Sequence, residues 1–438
     1  MKPIVAIVGR PNVGKSMLFN RIAGERISIV EDTPGVTRDR IYAEAEWVGK
    51  NFTIIDTGGI EPKSEELIPK KMREQAQLAM ETADVILFIV DGKAGLTPAD
   101  RDVALLLMKT RKPVILVVNK VDNRSLPDDF YDFYELGFGE PMPVSSSIGL
   151  GTGDLLDEVV KSFPQEAETE KDEDVIKVAI VGKPNAGKSS ILNKLIGEER
   201  VIVSPIAGTT RDAIDSYIEL EGRKYLFIDT AGIRKKSKIY ENVEKYSVIR
   251  SYTAVERADV VLIVIDAFEG ISEQDSKIAG LAHDAGKASV ILVNKWDLIE
   301  KDNHTMKEYT AKVREELPFM PYSPLLFVSA ETSQRLHKIK ASIDAVYDEA
   351  GKRVATGVLN DVIGEAVLMN QPPSDKGKRL KIYYGTQVGV KPPTFALFVN
   401  EKKLFHFSYQ RYIENQLREN FGFEGTPIKI YIREKERK

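Results

Sequence analysis

Short apolar runs rich in Val, Ile and Leu recur along most of the chain, separated by longer stretches that mix polar and apolar residues. Residues 4–8, 52–55, 85–90, 114–118 and 142–144 have this character, and so do 177–181, 224–228, 260–265, 289–293 and 325–328. Continuous β-branched runs suit strands buried on both faces, and the helical stretches between them suit the crossovers of βαβ units. The pattern predicts an α/β protein with two mostly parallel sheets, each with helices on both faces. After residue 350 it changes: 353–369 and 408–421 read as helices, and 380–385, 394–400 and 427–433 as strands. That is a small α+β unit. The stretch FPQEAETEKDED at 163–174 is polar and acidic, as a solvated linker is. The expected plan is a first domain over 1–163, an acidic linker over 164–174, a second domain over 175–350 and a third over 351–438.

The two larger domains repeat one another. The segment at 9–60, which opens GRPNVGKS and closes DTGGI, aligns without a gap with 182–233, which opens GKPNAGKS and closes DTAGI. The offset is 173 residues, far longer than a solenoid repeat, so the chain carries a tandem duplication. Asp91 then matches Asp266, and NKVD at 119–122 matches NKWD at 294–297.

The repeated motifs point to one chemistry. Gly9-Arg10-Pro11-Asn12-Val13-Gly14-Lys15-Ser16 and Gly182-Lys183-Pro184-Asn185-Ala186-Gly187-Lys188-Ser189 each fit G-x-x-x-x-G-K-[ST] between a strand and a helix. Such a loop turns successive N–H groups toward phosphates at a helix start. Lys15 and Lys188 are placed to neutralise the β/γ-phosphates, and Ser16 and Ser189 to ligate Mg²⁺. Asn119-Lys120-Val121-Asp122 and Asn294-Lys295-Trp296-Asp297 follow apolar strands, where open α/β sheets place ligand contacts. A carboxylate there accepts from guanine N1–H and the exocyclic amine, donors that adenine lacks on that edge. The expected nucleotide is GTP or GDP. Asp56-Thr57-Gly58-Gly59-Ile60 and Asp229-Thr230-Ala231-Gly232-Ile233 also end strands. Their Asp suits a contact to Mg²⁺, and Gly59 and Gly232 let a backbone N–H approach the γ-phosphate. Thr37 and Thr210 suit a loop that closes on Mg²⁺ while γ-phosphate is present. Ser145-Ser146 and Ser329-Ala330 follow the final strands, in register to pack against the base.

Composition removes competing readings. Hydrophobic residues make up 42% and charged residues 29% of 438, ordinary globular usage that excludes wholesale disorder. No run approaches the ~20 apolar residues of a membrane span, and the N-terminus shows no secretory pattern. With no cysteine, thiolate metal sites and Cys catalysis are excluded, and a reducing cytoplasm is expected. The four histidines show no metal-ligand spacing. The net charge of −4 hides an asymmetry, because residues 351–438 hold 16 Lys and Arg against 9 Asp and Glu. Within them, 376–403 interleaves Lys376, Lys378, Arg379, Lys381, Lys391, Lys402 and Lys403 with Tyr383, Tyr384, Phe395 and Phe398. Basic residues among aromatics suit RNA, and a solvated strand face over an aromatic core suits the same letters equally.

The P-loop, switch Thr, DxxG, NKxD and final serine elements together resemble the TRAFAC-class translation-factor-related GTPases. Two such domains followed by a basic α+β domain are similar to the bacterial double Era-like GTPase family, Der or EngA. The stretch DTAGIRKKSKIYENVEKYSVIRSY at 229–252 is similar to the second domain of that family. The resemblance covers essentially the whole chain. It implies a K-homology-like (KH-like) third domain and a cytoplasmic, monomeric GTPase acting in assembly of the large (50S) ribosomal subunit. Its partners would be rRNA and ribosomal proteins of that subunit or its precursors, with no membrane involved, and GTP state would switch domain arrangement and docking. Ile60 and Ile233 stand where Ras-like GTPases carry a water-orienting Gln, so slow intrinsic hydrolysis is expected. Related GTPases whose P-loop reads G-x-P-N-x-G-K-S use K⁺ held partly by the Asn, here Asn12 and Asn185. Two departures stand out. The second copy's final loop, SAETSQRL, lacks the glycines of SSSIGLGTG in the first. Gly422-Phe423-Glu424-Gly425 has the letters of the KH G-x-x-G grip but precedes the last strand, which leaves docking on protein open.

Overall fold

The computed structural model describes residues 2–24, 42–57, 68–123, 126, 128–164, 175–197, 215–220, 222–228, 244–375 and 378–434. They fall into two compact units. In the first, β1 (Ile4–Val8) runs into α1 (Lys15–Gly24), and β2 (Tyr42–Trp47) and β3 (Lys50–Asp56) form an antiparallel pair. Then come α2 (Ile68–Thr82), β4 (Val85–Asp91), α3 (Pro98–Leu107), β5 (Val114–Asn119), β6 (Met142–Pro143) and α4 (Thr152–Lys161). The sheet order is β2-β3-β1-β4-β5-β6, parallel throughout except at β2. All seven residues of β4 are buried, which is why its sequence VILFIVD shows no alternation.

The second unit repeats this plan. It contains β7 (Val175–Val181), α5 (Lys188–Gly197), β8 (Ser216–Leu220), β9 (Arg223–Ile228), α6 (Glu244–Arg257), β10 (Val260–Asp266) and α7 (Glu273–Asp284). After these come β11 (Ala288–Asn294), α8 (Thr305–Glu316), β12 (Leu325–Phe327) and α9 (His337–Gly351). Read from its antiparallel edge the order is β8-β9-β7-β10-β11-β12, strand for strand that of the first sheet. One core layer includes Ile180, Leu192, Tyr225, Leu262 and Ile343, and the layer on the other face includes Val255, Ile263, Ile278 and Trp296. The apolar-run criterion finds the parallel strands and misses β2 and β8. Those edge strands carry partner hydrogen bonds on one side only and interrupt their apolar residues with exposed acidic ones, Glu44 and Glu46 in β2 and Glu219 in β8.

The C-terminal part of the same unit is α+β. It consists of α10 (Thr356–Met369), a short β13 (Ser374–Asp375) and β14 (Lys378–Arg379) pair, β15 (Ile382–Gly389), β16 (Thr394–Val399), α11 (Phe407–Phe421) and β17 (Lys429–Glu434). Its three-stranded sheet, β15-β16-β17, is antiparallel then parallel. Its core joins Leu359, Ile363, Phe395, Leu397, Ile413, Leu417 and Phe423. The aromatics of 376–403 divide: Phe395 is buried in this core, Tyr383 and Tyr384 are exposed, and Tyr384 stacks on Phe398 at 4.4 Å.

The turn between α11 and β17 fastens this part to the preceding domain. Gly425 N–H donates to the Tyr322 carbonyl at 2.8 Å, and Ser289 N–H donates to the Gly425 carbonyl at 2.7 Å. Phe423 N–H donates to Glu349 Oε2 at 2.6 Å. Gly425 has φ of +75°, and a Cβ there would lie 2.1 Å from Val346, so only glycine fits. The letters G-F-E-G thus bind protein. Around this contact the Arg418 guanidinium lies over the Tyr322 ring at 4.8 Å, and Tyr322 hydroxyl and His283 Nδ1 are 2.8 Å apart.

Burial of His283, helped by Arg418 and Lys429, pushes its pKa down to about 4 from 6.5. The unfolded chain therefore takes up a proton between pH 6.5 and 4 that the folded chain refuses. Stability is full above pH 6.5 and is lost as pH falls toward 4, by about 3 kcal/mol from this residue. His283→Gln, which keeps a partner for Tyr322, is expected to flatten that part of the profile in urea denaturation midpoints measured at pH 7 and pH 4.5.

Candidate functional site

Both candidate sites form where parallel strands end and chain reversals gather on one sheet edge. In the first, the loop after β1 is left-handed at Asn12 (φ 65°) and Gly14 (φ 94°); in the second, at Asn185 (φ 62°) and Gly187 (φ 95°). Val13 and Ala186 are fully buried and pin each loop to its core. Lys15 Nζ donates to the Gly9 and Arg10 carbonyls at 2.8 and 2.7 Å. Lys188 Nζ donates to the Gly182 and Lys183 carbonyls at 2.7 Å each. Each ammonium is thus held over its own loop before any phosphate arrives. Burial pulls the Lys188 pKa down to about 8 against a partly compensating Asp275 charge, so a phosphate finds a cation that is short of counter-charge.

The base-side motif is tied directly to the phosphate loop. Asn119 Nδ2 donates to the Val13 carbonyl at 2.7 Å, and Asn119 Oδ1 accepts from Ser146 N–H and hydroxyl at 3.0 and 2.8 Å. Asn294 does the same, donating to Ala186 at 2.8 Å and accepting from Ala330 N–H at 3.1 Å. A Cβ at Gly14 or Gly187 would lie within 2.3 or 2.1 Å of these amides, so the tie requires glycine. Lys120 and Lys295, both left-handed, pair with Asp91 and Asp266 at 2.6 and 2.5 Å. Burial acts to raise the Asp91 pKa, but the Lys120 hydrogen bond and the Lys93 and Ala94 N–H groups outweigh it and hold the carboxyl below its ordinary range. Val121 and Trp296 are buried, and Trp296 packs on Phe327 at 4.5 Å.

The two carboxylates expected to read the base, Asp122 and Asp297, differ. Asp122 is met by Lys93 Nζ at 2.5 Å and by Ser145 hydroxyl at 2.7 Å, which lower its pKa. Asp297 Oδ1 is buried and has no hydrogen-bond partner among the described residues. A buried carboxylate oxygen left in this way is unfavourable by itself and suits a ligand that brings N–H donors.

The final loops match despite their sequences. Bridges join Ser145 to Leu150 and Ser329 to Gln334, and Gly149 and Gly151 take φ of 84° and 73°. Ser333 and Arg335 adopt the same left-handed backbone, at 57° and 59°. The second copy therefore makes the turn without glycine. At the head of α1, Ser16 hydroxyl donates to Asp56 Oδ2 at 2.7 Å, and Thr57 hydroxyl donates to the Ile7 carbonyl. Pro11 and Pro184 are partly exposed within their loops, and Ser189 sits in the first turn of α5. Thr37, Gly58, Gly59, Ile60, Thr210, Asp229, Thr230, Ala231, Gly232 and Ile233 lie outside the described residues. The motif reading missed Arg21, which donates to the Ser146 and Ser147 carbonyls at 2.6 and 2.7 Å and braces the final loop. It also left the roles of Asp91 and Asp266 unassigned, although their recurrence in the repeat was the available signal.

A family model described as a 50S ribosome-binding GTPase matches residues 4–120 and 177–295. A model described as the KH-domain-like, C-terminal domain of EngA bacterial GTPases matches 353–433. GTPase Der of Alkaliphilus oremlandii is 64% identical over 434 residues, covering 99% of each chain. The chain belongs to the Der family of GTPases. GTPase Der of Acetivibrio thermocellus is 65% identical over 437 residues, covering 100% of this chain and 99% of its own. Membership in the Der family makes this protein a GTP-hydrolysing enzyme that binds guanine nucleotides, and makes its C-terminal α+β part the KH-like domain of that family.

Asp297→Asn is expected to weaken GTP binding at the second site about a hundredfold, the loss of about 2–3 kcal/mol from mismatched donors, and to raise xanthine nucleotide affinity. Calorimetry with GDP and XDP, with the first site disabled by Lys15→Ala, checks both directions.

Proposed function

We propose that the protein is an assembly factor for the large (50S) ribosomal subunit, docking on rRNA and ribosomal proteins of the subunit or its precursors and leaving after GTP hydrolysis. The observation that carries this reading is the combination in one chain of two nucleotide sites of the same build with a basic KH-like domain. The matched description of a 50S ribosome-binding GTPase family supports the particle. On the third domain Lys378, Arg379, Lys381, Lys402 and Lys403 are exposed, beside exposed Tyr383 and Tyr384, an array suited to phosphates and unstacked bases. Nucleotide state is proposed to act by rearranging the first domain relative to the other two. Among the described residues no helix is long and apolar enough to cross a membrane.

The nucleotide would bring Mg²⁺, held by Ser16 and Ser189 with Thr37 and Thr210, and the ion would neutralise charge on the β/γ-phosphates. The short Ser16–Asp56 hydrogen bond is consistent with that donor set, an oxygen pair at the head of α1. We assign Asn12 and Asn185 to a K⁺ ion that substitutes for the missing glutamine and arginine. Both residues are exposed and left-handed, and among the described residues neither side-chain amide makes a hydrogen bond.

Co-sedimentation with 50S particles in GTP, GDP and a non-hydrolysable analogue tests the main proposal. Binding is expected with the analogue and not with GDP. Lys381→Ala, Lys402→Ala and Lys403→Ala together are expected to weaken it and to reduce the salt slope by about one unit per lost phosphate contact. Equal sedimentation in all three nucleotides refutes the switch.

GTP turnover is also expected to be faster in K⁺ than in Na⁺ at equal ionic strength. Asn12→Ala and Asn185→Ala should each remove the response of their own site when the other is disabled.

A further inference from the structure

The residue after the first glycine of each P-loop is charged, Arg10 in one copy and Lys183 in the other, and neither side chain faces open solvent. Arg10 Nε lies 3.4 Å from Asp100 Oδ1, with side-chain exposures of 18% and 0%. Lys183 Nζ lies 3.7 Å from Asp275 Oδ2 and 2.9 Å from Glu269, and its side chain is 11% exposed. Asp100 and Asp275 hold the same place, third residue of α3 and of α7. There, one carboxylate oxygen closes a capping box with Thr97 or Ser272. The other oxygen of each, Oδ1, is buried and accepts no hydrogen bond among the described residues. A fully buried carboxylate needs a counter-charge, and in both copies the P-loop supplies one. The contact differs in detail, because Arg10 faces the unbonded Oδ1 of Asp100 while Lys183 lies nearer Glu269 and reaches Asp275 at its capping oxygen Oδ2; what is kept is a P-loop cation beside the buried carboxylate.

The same P-loop residue does a second thing. Its backbone carbonyl accepts from the phosphate-binding lysine, Lys15 or Lys188, at 2.7 Å. Side chain and carbonyl belong to one residue, so fixing the first restricts the rotation of the second. We infer that Arg10–Asp100 and Lys183–Asp275 are positioning pairs that anchor the start of each P-loop to α3 or α7 and so aim Lys15 or Lys188 at the phosphates. The lysine's charge counts most where charge builds during phosphoryl transfer. A lysine that is present but mis-aimed still helps the loop N–H groups hold the ground-state phosphates. Loss of the anchor should therefore appear in kcat more than in KM.

The inference rests on Lys15 and Lys188 being the phosphate-binding lysines, which is checked separately by loss of first-site turnover in Lys15→Ala. All measurements use the full chain carrying Asp297→Asn, so that GTP turnover reports the first site. Asp100→Asn keeps an oxygen for the capping box and removes the counter-charge. It is expected to lower kcat about tenfold with KM changed less than about twofold. Arg10→Gln should do the same, Arg10→Lys should recover most of that loss, and the double variant Arg10→Gln/Asp100→Asn should be no slower than either single variant. Thr97→Ala breaks the capping box and leaves the pair, so it should lower the melting temperature with little effect on kcat. Additive losses in the double variant, no recovery with lysine, or a kcat loss in Thr97→Ala equal to that in Asp100→Asn would each overturn the pairing. Normal turnover in Lys15→Ala would instead remove the lysine assignment on which it stands.

Discussion

A loop that cradles phosphate must turn several N–H groups inward against their mutual repulsion, and it does so only if something outside the loop holds its carbonyls back. Here that restraint is one side-chain amide, Asn119 in the first copy and Asn294 in the second. Each donates to the loop carbonyl just before the second glycine and accepts from the loop after the last strand. The contact is possible because β4 or β10 lies between the phosphate strand and the strand that ends in the asparagine, so both ends emerge on one edge. Gly14 and Gly187 are required because that amide reaches across.

The parallel strands were legible because burial on both faces leaves no freedom for polar residues. The motifs were legible for a related reason: phosphate and guanine each demand particular donors at particular places, and the duplication shows them twice. Edge strands escaped because Tyr42–Trp47 needs apolar residues on one face only, and there Ala45 is the single buried residue. The turn at Ser333 and Arg335 escaped because glycine is the usual signature of left-handed backbone, yet the Ser329–Gln334 bridge enforces that conformation on other residues. Contacts such as Arg10–Asp100 lie about ninety positions apart in sequence, and only the packing of α3 against the sheet brings them together.

The KH-like domain shows how one motif's letters serve another end. Gly425 is needed because Val346 and the strand start at Ser289 leave no space for a side chain. Above it, Tyr347 of α9 lies between the Arg223 guanidinium at 5.7 Å and the Lys391 ammonium at 3.5 Å, so its ring joins the hairpin of the second sheet to the loop before β16. On the KH-like domain Tyr383 and Tyr384 remain exposed. Docking on the neighbouring domain and an outward basic face are thus compatible in one small fold.

Every described residue of each nucleotide site comes from its own sheet, and the two sets share no side chain. A single-site GTPase reports one binary condition, GTP or GDP. Two separately built sites give four ligand states in one polypeptide, and their irreversible hydrolysis steps give those states a direction in time. A one-site switch has only two such states.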